Sequence, residues 1–415
     1  MTPIGSRGDV QPFVALGKGL RAEGHTVRLA THGIHTDLVT SHGLEFAPIE
    51  GNPREMFETL TGQAWLDSGK NILKFWREFR KLAEKNVEKS FADAKEACLG
   101  SDAILFSFLG AAGYHMAEML SVPRMMGLLQ PFSRTREFPY CVMPELPLGG
   151  LYNKATYLFA EQLSWMTGRG WVNRWRKESL GLGPLPIRSP FSRVYLDEEP
   201  FLYGFSEHVI PRPRDWPTCH QITGYWFLDE GDSWVPPPEL LDFLSSGSKP
   251  VYIGFGSMAG RKAEEITDIT VEAVTRAGQR AILLGGWADA GDRTLPDSIY
   301  SIPSAPHDWL FPKMAAVVHH GGAGTTAAGL RAGVPTLVVP FFADQPFWGK
   351  RVNALGAGPQ PIARKELTSE KLAAAITQAI SDPLIEQGAA AIGEKLRKED
   401  GVDRGVEMIL SHFEQ

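Results

Sequence analysis

An α/β fold of two Rossmann-like domains facing each other across a cleft is predicted by three observations. The chain has 415 residues, more than the roughly 100–200 of a single domain, so it has material for two cores. Short apolar runs alternate with amphipathic stretches through both halves, the pattern of parallel strands joined by right-handed helical crossovers. The 43 glycines and 30 prolines exceed the ~12% of an average chain and are dispersed, as many short turns require.

The elements follow in order. Val27–Thr31 reads as a strand, and Gly33–His42 as a helix that Gly43 can cap. Leu44–Ile49 is the next strand. From Asn71 to Ala97 apolar residues recur at a helical period: Ile72, Phe75, Trp76, Phe79, Leu82, Val87 and Phe91. Ala103–Phe108 and Arg124–Leu129 are strands of the buried type, separated by a helix that ends before Pro123. Acidic residues and prolines break the periodicity over Asp229–Pro238, DEGDSWVPPP, which marks a linker. The predicted domains are therefore 1–228 and 239–400, with 229–238 between them. Strands Val251–Gly256, Ala281–Gly285, Ala316–His319 and Thr336–Pro340 build the second domain. Val402–Phe413, within a last segment 401–415, is expected to return to the first domain as a helix.

Composition excludes several classes. Net charge is −6 and the pI near 6.0, which argues against nucleic acid as the main partner. The cysteines, Cys98, Cys141 and Cys219, are odd in number and far apart, so neither a disulfide framework nor a zinc site is supported. A reduced, cytoplasmic setting is expected. No apolar run approaches the roughly 20 residues of a membrane span, and MTPIGSRGDV lacks the apolar core of a signal peptide.

The most informative stretch is Val317–Gln345, VVHHGGAGTTAAGLRAGVPTLVVPFFADQ. A strand ends at His319–His320, a glycine-rich turn follows, and a helix starts near Thr325. Free N–H groups and the positive dipole end at a helix start form a cradle for a diphosphate. Gly322 and Gly324 let the backbone approach phosphate oxygens; Thr325 supplies a hydroxyl, and His320 a ring N–H or a positive charge. Glycine and threonine alone favour a plainer reading, a tight strand–helix turn with capping threonines. The two histidines and the later Asp344–Gln345 shift the balance. That pair follows a strand directly and can accept from and donate to vicinal sugar hydroxyls, although Asp344 alone reads more simply as a helix N-cap.

HHGGAGTT followed by AGVPTLVVPFFADQ closely resembles the signature of the UDP-glycosyltransferase superfamily, with its GT-B fold. The subgroup it looks like contains sterol glucosyltransferases and bacterial macrolide and glycopeptide glycosyltransferases. GSRGDVQP at Gly5–Pro12 resembles that subgroup's opening loop, APHDWLFP at Ala305–Pro312 its nucleotide-binding segment, and QPFSRTREFP at Gln130–Pro139 its acceptor region. The resemblance covers nearly the whole chain, with these motifs in the family's order.

What the resemblance implies is an inverting transfer of a hexose, glucose in the first instance, from UDP to a hydroxyl on a lipophilic acceptor. By the same resemblance His320 would contact the α-phosphate, Gly324 and Thr325 the β-phosphate, and Asp344 and Gln345 the sugar. Pro306 and His307 would meet the base through main chain, and Ser257 and Trp287 would line the donor pocket; a turn serine and a surface aromatic are the plainer readings of the last two. Plant members carry Trp where Ser304 stands and Glu where Ala328 stands, so UDP over dTDP is a preference only. No metal ligands are evident, so metal independence is expected, with helix dipole and side chains stabilising the leaving diphosphate. No cofactor is expected beyond the sugar nucleotide.

Inverting transfer needs a base for the acceptor's proton. Plant members place His in a GHxxP motif; this chain reads Gly8-Asp9-Val10-Gln11-Pro12, which puts Asp9 in the base position. A carboxylate at its ordinary pKa near 3.9 is a weak base, so partial burial should raise it. Asp9 can also cap the helix beginning near Val10–Pro12, and capping and catalysis are compatible. Ser6 and Arg7 would face the donor; a structural ion pair is the other reading of Arg7.

Met125, Met126, Phe132, Phe138 and Tyr140 lie where the family builds its acceptor pocket, and suit a flat apolar ligand such as a sterol. Without the resemblance they read as ordinary core. Lys70–Lys89, basic and amphipathic around Phe75, Trp76 and Phe79, would suit contact with an anionic membrane; a solvated helix packing one apolar face is the plainer reading. His25, His32, His35 and His42 sit near element ends at no ligand spacing and receive no role. GSRGDVQP normally follows a central strand, and here only Met1–Ile4 precedes it, so an upstream apolar segment is expected. The oligomeric state is left open. Rival readings are a Rossmann dehydrogenase, a sugar-nucleotide epimerase and a non-catalytic nucleotide-sugar or lipid binder. GFGSMAG at Gly254–Gly260 has GxG but lacks the third glycine of the dehydrogenase fingerprint.

Overall fold

A computed structural model describes residues 1–52, 86–191, 199–255, 263–284 and 295–413, with the isolated positions 77, 80, 81 and 84. Ser257, Trp287 and most of 70–89, with Phe75, Trp76 and Phe79, lie outside the described residues. The chain forms two units, Met1–Leu228 with Asp400–Gln415, and Asp229–Glu399.

In the first unit the strands are β1 (Arg28–His32), β2 (Glu45–Ile49), β3 (Ile104–Phe106), β4 (Arg124–Leu128), β5 (Phe201–Tyr203) and β6 (His220–Ile222). All pairings are parallel: β1 with β2, and β3 to β6 in sequence order. Met1 and Thr2 join these two groups. Ala30 N donates to Met1 O (2.8 Å), Thr2 N to Leu105 O (3.0 Å), and Ser107 N to Thr2 O (3.4 Å). Two residues thus occupy a strand position between β1 and β3, and the strand order reverses there. The loop that leaves this position, Gly5–Asp9, is therefore at a topological switch point, where open α/β sheets bind ligands.

The helix Arg7–Ala22 buries Val10, Phe13, Val14 and Leu16 against Leu29, Leu105, Met125, Leu202 and Trp226. The final helix, Gly401–Phe413, adds Val406 and Ile409 to the same core. It lies so close that a Cβ on Gly405 would come within 2.7 Å of Leu16 Cδ2. Apolar side chains of this size contribute roughly 1.5–3 kcal/mol each when fully buried, which holds the last helix to the first unit.

The second unit contains β7 (Val251–Gly254), β8 (Ala281–Leu284), β9 (Ile299–Ile302), β10 (Ala316–His319) and β11 (Thr336–Val338) in the order β11-β10-β7-β8-β9, all parallel. β7 and β10 are buried along their whole length, as strands covered on both faces must be. The chain builds outward from β7 through β8 and β9, then returns to the other side with β10. The switch point lies between β7 and β10, where Gly254 is paired with His319.

Several expected elements differ: the helix expected near Val10–Pro12 starts at Arg7, and the strand expected to reach Pro340 ends at Val338. The helix expected over 33–42 is a 3-10 turn, Gly33–His35, followed by one short helix, Thr36–Thr40. Thr36 Oγ1 donates to Gly33 O and Thr40 Oγ1 to Thr36 O, bonds by which hydroxyls compete with a regular helix. The strand expected to reach Phe108 ends at Phe106, because Ser107 turns its hydroxyl to Thr2 O and accepts from Gly110 N. The helix expected near Thr325 starts two residues earlier, at Ala323, with Gly322 as N-cap.

Candidate active site

Each unit presents a glycine turn leading into a helix. In the first, Gly5 has φ +138°, a region open mainly to glycine. A Cβ on it would lie 2.4 Å from Asp9 Oδ2, so Gly5 is what lets the Asp9 carboxylate fold back onto the loop. Ser6 N and Ser6 Oγ each donate to Asp9 Oδ2 at 2.8 Å. Asp9 therefore does close a capping box at the helix start. Both bonds fall on one oxygen; Oδ1 accepts no hydrogen bond among the described residues. Burial raises the Asp9 pKa, opposed by the two Ser6 bonds and then by the nearby His35. Ser6 thus serves Asp9. Arg7 is exposed, and its Nε donates to Gln11 Oε1 at 2.9 Å, a contact within its own helix.

In the second unit, β10 ends in His319 and the chain turns through Gly321, φ +93°. A Cβ there would meet Val338 Cγ1 at 2.6 Å and Gln345 O at 3.0 Å, and one on Gly322 would meet His320 Nε2 at 2.7 Å. The positive φ and the backbone contact require glycine at Gly321, whereas at Gly322 only the His320 ring would have to shift. At Gly324, by contrast, an added Cβ would meet nothing within 4 Å, so its backbone faces open space. The helix Ala323–Ala332 has no acidic residue in its first turn. Its first N–H groups, which a helix leaves without internal partners, and the half-buried Thr325 are thus offered outward. Thr326 is different: it is buried and donates Oγ1 to Gly322 O.

The two histidines are neutral at pH 7. Burial lowers His320 to about 4, with a backbone contact at Gly254 opposing. Burial also lowers His319 well below its ordinary value, followed by the neighbouring His320 and His307. With its pKa at about 4, the His320 ring carries no charge near pH 7. His319 Nδ1 accepts from Gly321 N at 2.9 Å, which fixes the turn. His320 Nδ1 is buried without a partner among the described residues, and an unpaired buried group of this kind costs about 1–3 kcal/mol.

Asp344 and Gln345 stand at the next helix start. Ala343 has φ +54°, an uncommon conformation for a residue with a side chain, and it turns the chain into the helix Gln345–Ala354. Asp344 is at the N-cap position, yet its side chain does not cap: Oδ2 accepts from the Trp348 indole at 2.8 Å. Gln345 is buried, and its Oε1 accepts from Phe341 N (2.7 Å) and Phe342 N (3.1 Å). A sugar contact from Gln345 must then come through Nε2. Pro306 is the N-cap of the short helix His307–Leu310, and the His307 ring stacks on Phe311 with centroids 4.3 Å apart.

Of the residues expected to line an acceptor pocket, Met125, Met126, Phe132 and Tyr140 are buried and only Phe138 is half-buried. Met125 belongs to the core with Phe13 and Trp226, so it packs the domain. Phe132 instead anchors an aromatic cluster, with Phe108 at 5.0 Å and Phe191 at 5.1 Å. Phe108 and Phe191 are both half-buried, and sequence reasoning passed over them. No local signal marked them, because the end of β3 just before Phe108 is set by Ser107 bonding to the distant Thr2. His35 was also missed: it is buried, with Nε2 3.1 Å from Gly5 O.

Known proteins fit this geometry. Residues 1–139 match the glycosyltransferase family 28 N-terminal domain, and residues 281–401 the erythromycin biosynthesis protein CIII-like C-terminal domain. The chain belongs to the UDP-glycosyltransferase superfamily. It is 41% identical to a sterol 3-beta-glucosyltransferase of Glomerella lagenarium and 42% identical to one of Emericella nidulans, in each case over 99% of this chain. It spans 28% and 30% of those longer proteins. The fold is GT-B: the glycosyltransferase of kitacinnamycin superposes with a TM-score of 0.72 at 20% identity, covering 99% of this chain and 98% of its own. Glycosyltransferase VinC, solved in complex with dTDP, gives 0.70 at 19% identity, covering 100% and 98%.

Proposed function

We propose that this chain carries an inverting glycosyl transfer from a UDP-sugar, glucose in the first instance, to a hydroxyl of a lipophilic acceptor such as a sterol, triterpenoid or polyketide. The observation that carries the reading is the helix start at Ala323. It lies at a switch point, has open space at Gly324, and has no acid of its own to neutralise its dipole. That combination suits a diphosphate. Relatives named sterol 3-beta-glucosyltransferase support the acceptor class and disfavour the dehydrogenase and epimerase readings.

In the proposed reaction the acceptor oxygen attacks the anomeric carbon as the bond to the diphosphate breaks. The hydroxyl proton passes to Asp9 Oδ1, the oxygen not engaged by Ser6. The raised pKa makes Asp9 a better base than an exposed carboxylate. The leaving diphosphate is held by the N–H groups following Gly322, by Thr325 and by His320, without need of a metal. Asp344 and the Gln345 amide nitrogen hold the sugar, and the main chain at Pro306–His307 meets the base. The test is incubation with labelled UDP-glucose and dTDP-glucose against sterol and polyketide acceptors, in EDTA, with product mass measured. A glycoside of inverted anomeric configuration is expected; hydrolysis or epimerisation alone would overturn the reading.

Peripheral membrane contact is part of the same reading. On the helix Gly149–Ser179, Leu151, Leu158, Phe159 and Met166 are exposed at seven- and eight-residue spacings that share one face, with exposed Lys154 nearby. Leu151→Glu with Leu158→Glu should abolish flotation with anionic vesicles; undiminished flotation would remove this face from the proposal. No helix among the described residues is long and apolar enough to cross a membrane.

A further inference from the structure

We infer that His35 is a positioning residue for Asp9, acting through the single peptide group between Gly5 and Ser6; the inference rests on the reading of Asp9 as base. The carbonyl oxygen and the N–H of that peptide belong to two adjoining bonds. His35 Nε2 lies 3.1 Å from Gly5 O, and because a carbonyl only accepts, Nε2 carries the hydrogen. Ser6 N, on the other side of the same amide, donates to Asp9 Oδ2 at 2.8 Å. Donation to the carbonyl polarises the amide and strengthens its N–H as a donor. It also fixes the plane of a peptide that glycine otherwise leaves soft, at a φ of +138°.

The geometry is over-determined. His35 is buried at the end of the 3-10 turn that follows β1, so its ring has little freedom. Gly5 packs so closely beneath Asp9 that no side chain fits between them. Rotation of the Gly5–Ser6 peptide would remove the main-chain donor from Oδ2 and free the carboxylate to turn, and with it Oδ1. The histidine thus orients the base without touching the reacting atoms.

The experiment compares His35→Leu, which loses the donor, with His35→Gln, whose Nε2–H reaches to the same carbonyl. kcat, acceptor KM and the Kd for UDP are measured on the whole chain. His35→Leu should lower kcat by about 10–100-fold, the cost of misplacing a catalytic group by about 1 Å, with the UDP Kd unchanged. His35→Gln should recover kcat to within a few-fold. In an Asp9→Asn background, His35→Leu should cost nothing further, because its effect runs through Asp9. Wild-type kcat in His35→Leu, no recovery in His35→Gln, or an equal loss in the Asp9→Asn background would each overturn the inference. If His35→Leu does not fold, His35→Asn, whose amide is too short to reach Gly5 O, takes its place with the same expectations. Full activity of Asp9→Asn alone would instead sink the base assignment, and so separates the two failures.

Discussion

The two glycine turns, Gly5–Asp9 and Gly321–Thr325, share one local design and reach opposite electrostatic ends. Both leave a buried parallel strand position at a switch point and enter a helix. In the first, the helix start is answered from within: Asp9, in the first turn, accepts from Ser6 and folds against Gly5. In the second, no acid occupies the first turn, and the backbone at Gly324 faces open space. A helix start satisfied by its own carboxylate has no use for an anion, whereas one left unsatisfied attracts it. The comparison teaches that a glycine-rich strand–helix turn is not by itself a phosphate site; the location of the neutralising charge decides.

The largest test of this contrast is Asp9→Asn. It should lower kcat by ~10²–10⁴-fold, the usual worth of a general base, while UDP binding measured by calorimetry stays unchanged. Tm should not fall, because the amide still accepts from Ser6 and the desolvated charge is gone. Next is Gly324→Glu, which gives the second turn the acid that the first possesses. An acid at a helix start stabilises by about 0.3–1 kcal/mol, so Tm should hold or rise. UDP affinity should nonetheless fall by at least ~10-fold, since like charges meet. A mutant that binds UDP normally would show that the diphosphate is held elsewhere. His320→Ala is expected to weaken UDP by roughly 10-fold, about one lost hydrogen bond to a charged group, with little change in acceptor KM.

Acid should lower activity and stability together, for different reasons. Asp9 must be unprotonated to act, and its pKa is raised by burial. kcat/KM should therefore decline with falling pH at an inflection above the ordinary carboxylate value of about 3.9. Stability follows the histidines. His115, His220 and His320 titrate at about 3, 4 and 4 when folded, against about 6.5 unfolded. Between those values the unfolded chain binds more protons, so stability is full above the unfolded pKa and is lost as pH falls through the folded ones. Urea midpoints at pH 7, 6 and 5 should decrease in that order.

Much of this was legible in the sequence because it is periodic or stereochemical. Buried strands such as Val251–Gly254 and Ala316–His319 announce themselves as continuous apolar runs, and the glycines of HHGGAG mark a turn. What failed to show was which hydrogen-bond or packing partner a side chain takes, near or far in the chain. The ends of β3 are trimmed by Ser107 bonding to Thr2, over a hundred residues away, and the 33–42 helix is broken by threonine hydroxyls that propensity ranks only weakly. Asp344 reads as a cap, yet its carboxylate serves Trp348. Met125 reads as core from its own residue type and as pocket only by the resemblance; its packing beside Phe13 and Trp226 places it in the core.

The sequence by itself determined the α/β class, the family, and the residue types at both turns, since these follow from local spacing and from the conformations glycine alone permits. Tertiary structure decided what those residues face. It placed Met1–Thr2 in the sheet between strands from distant parts of the chain, buried His320 until its ring became neutral, and brought His35 to the peptide that holds Asp9. The physical reason is that burial and hydrogen-bond partnership are set by packing between distant segments, and these govern protonation and orientation more than residue identity does.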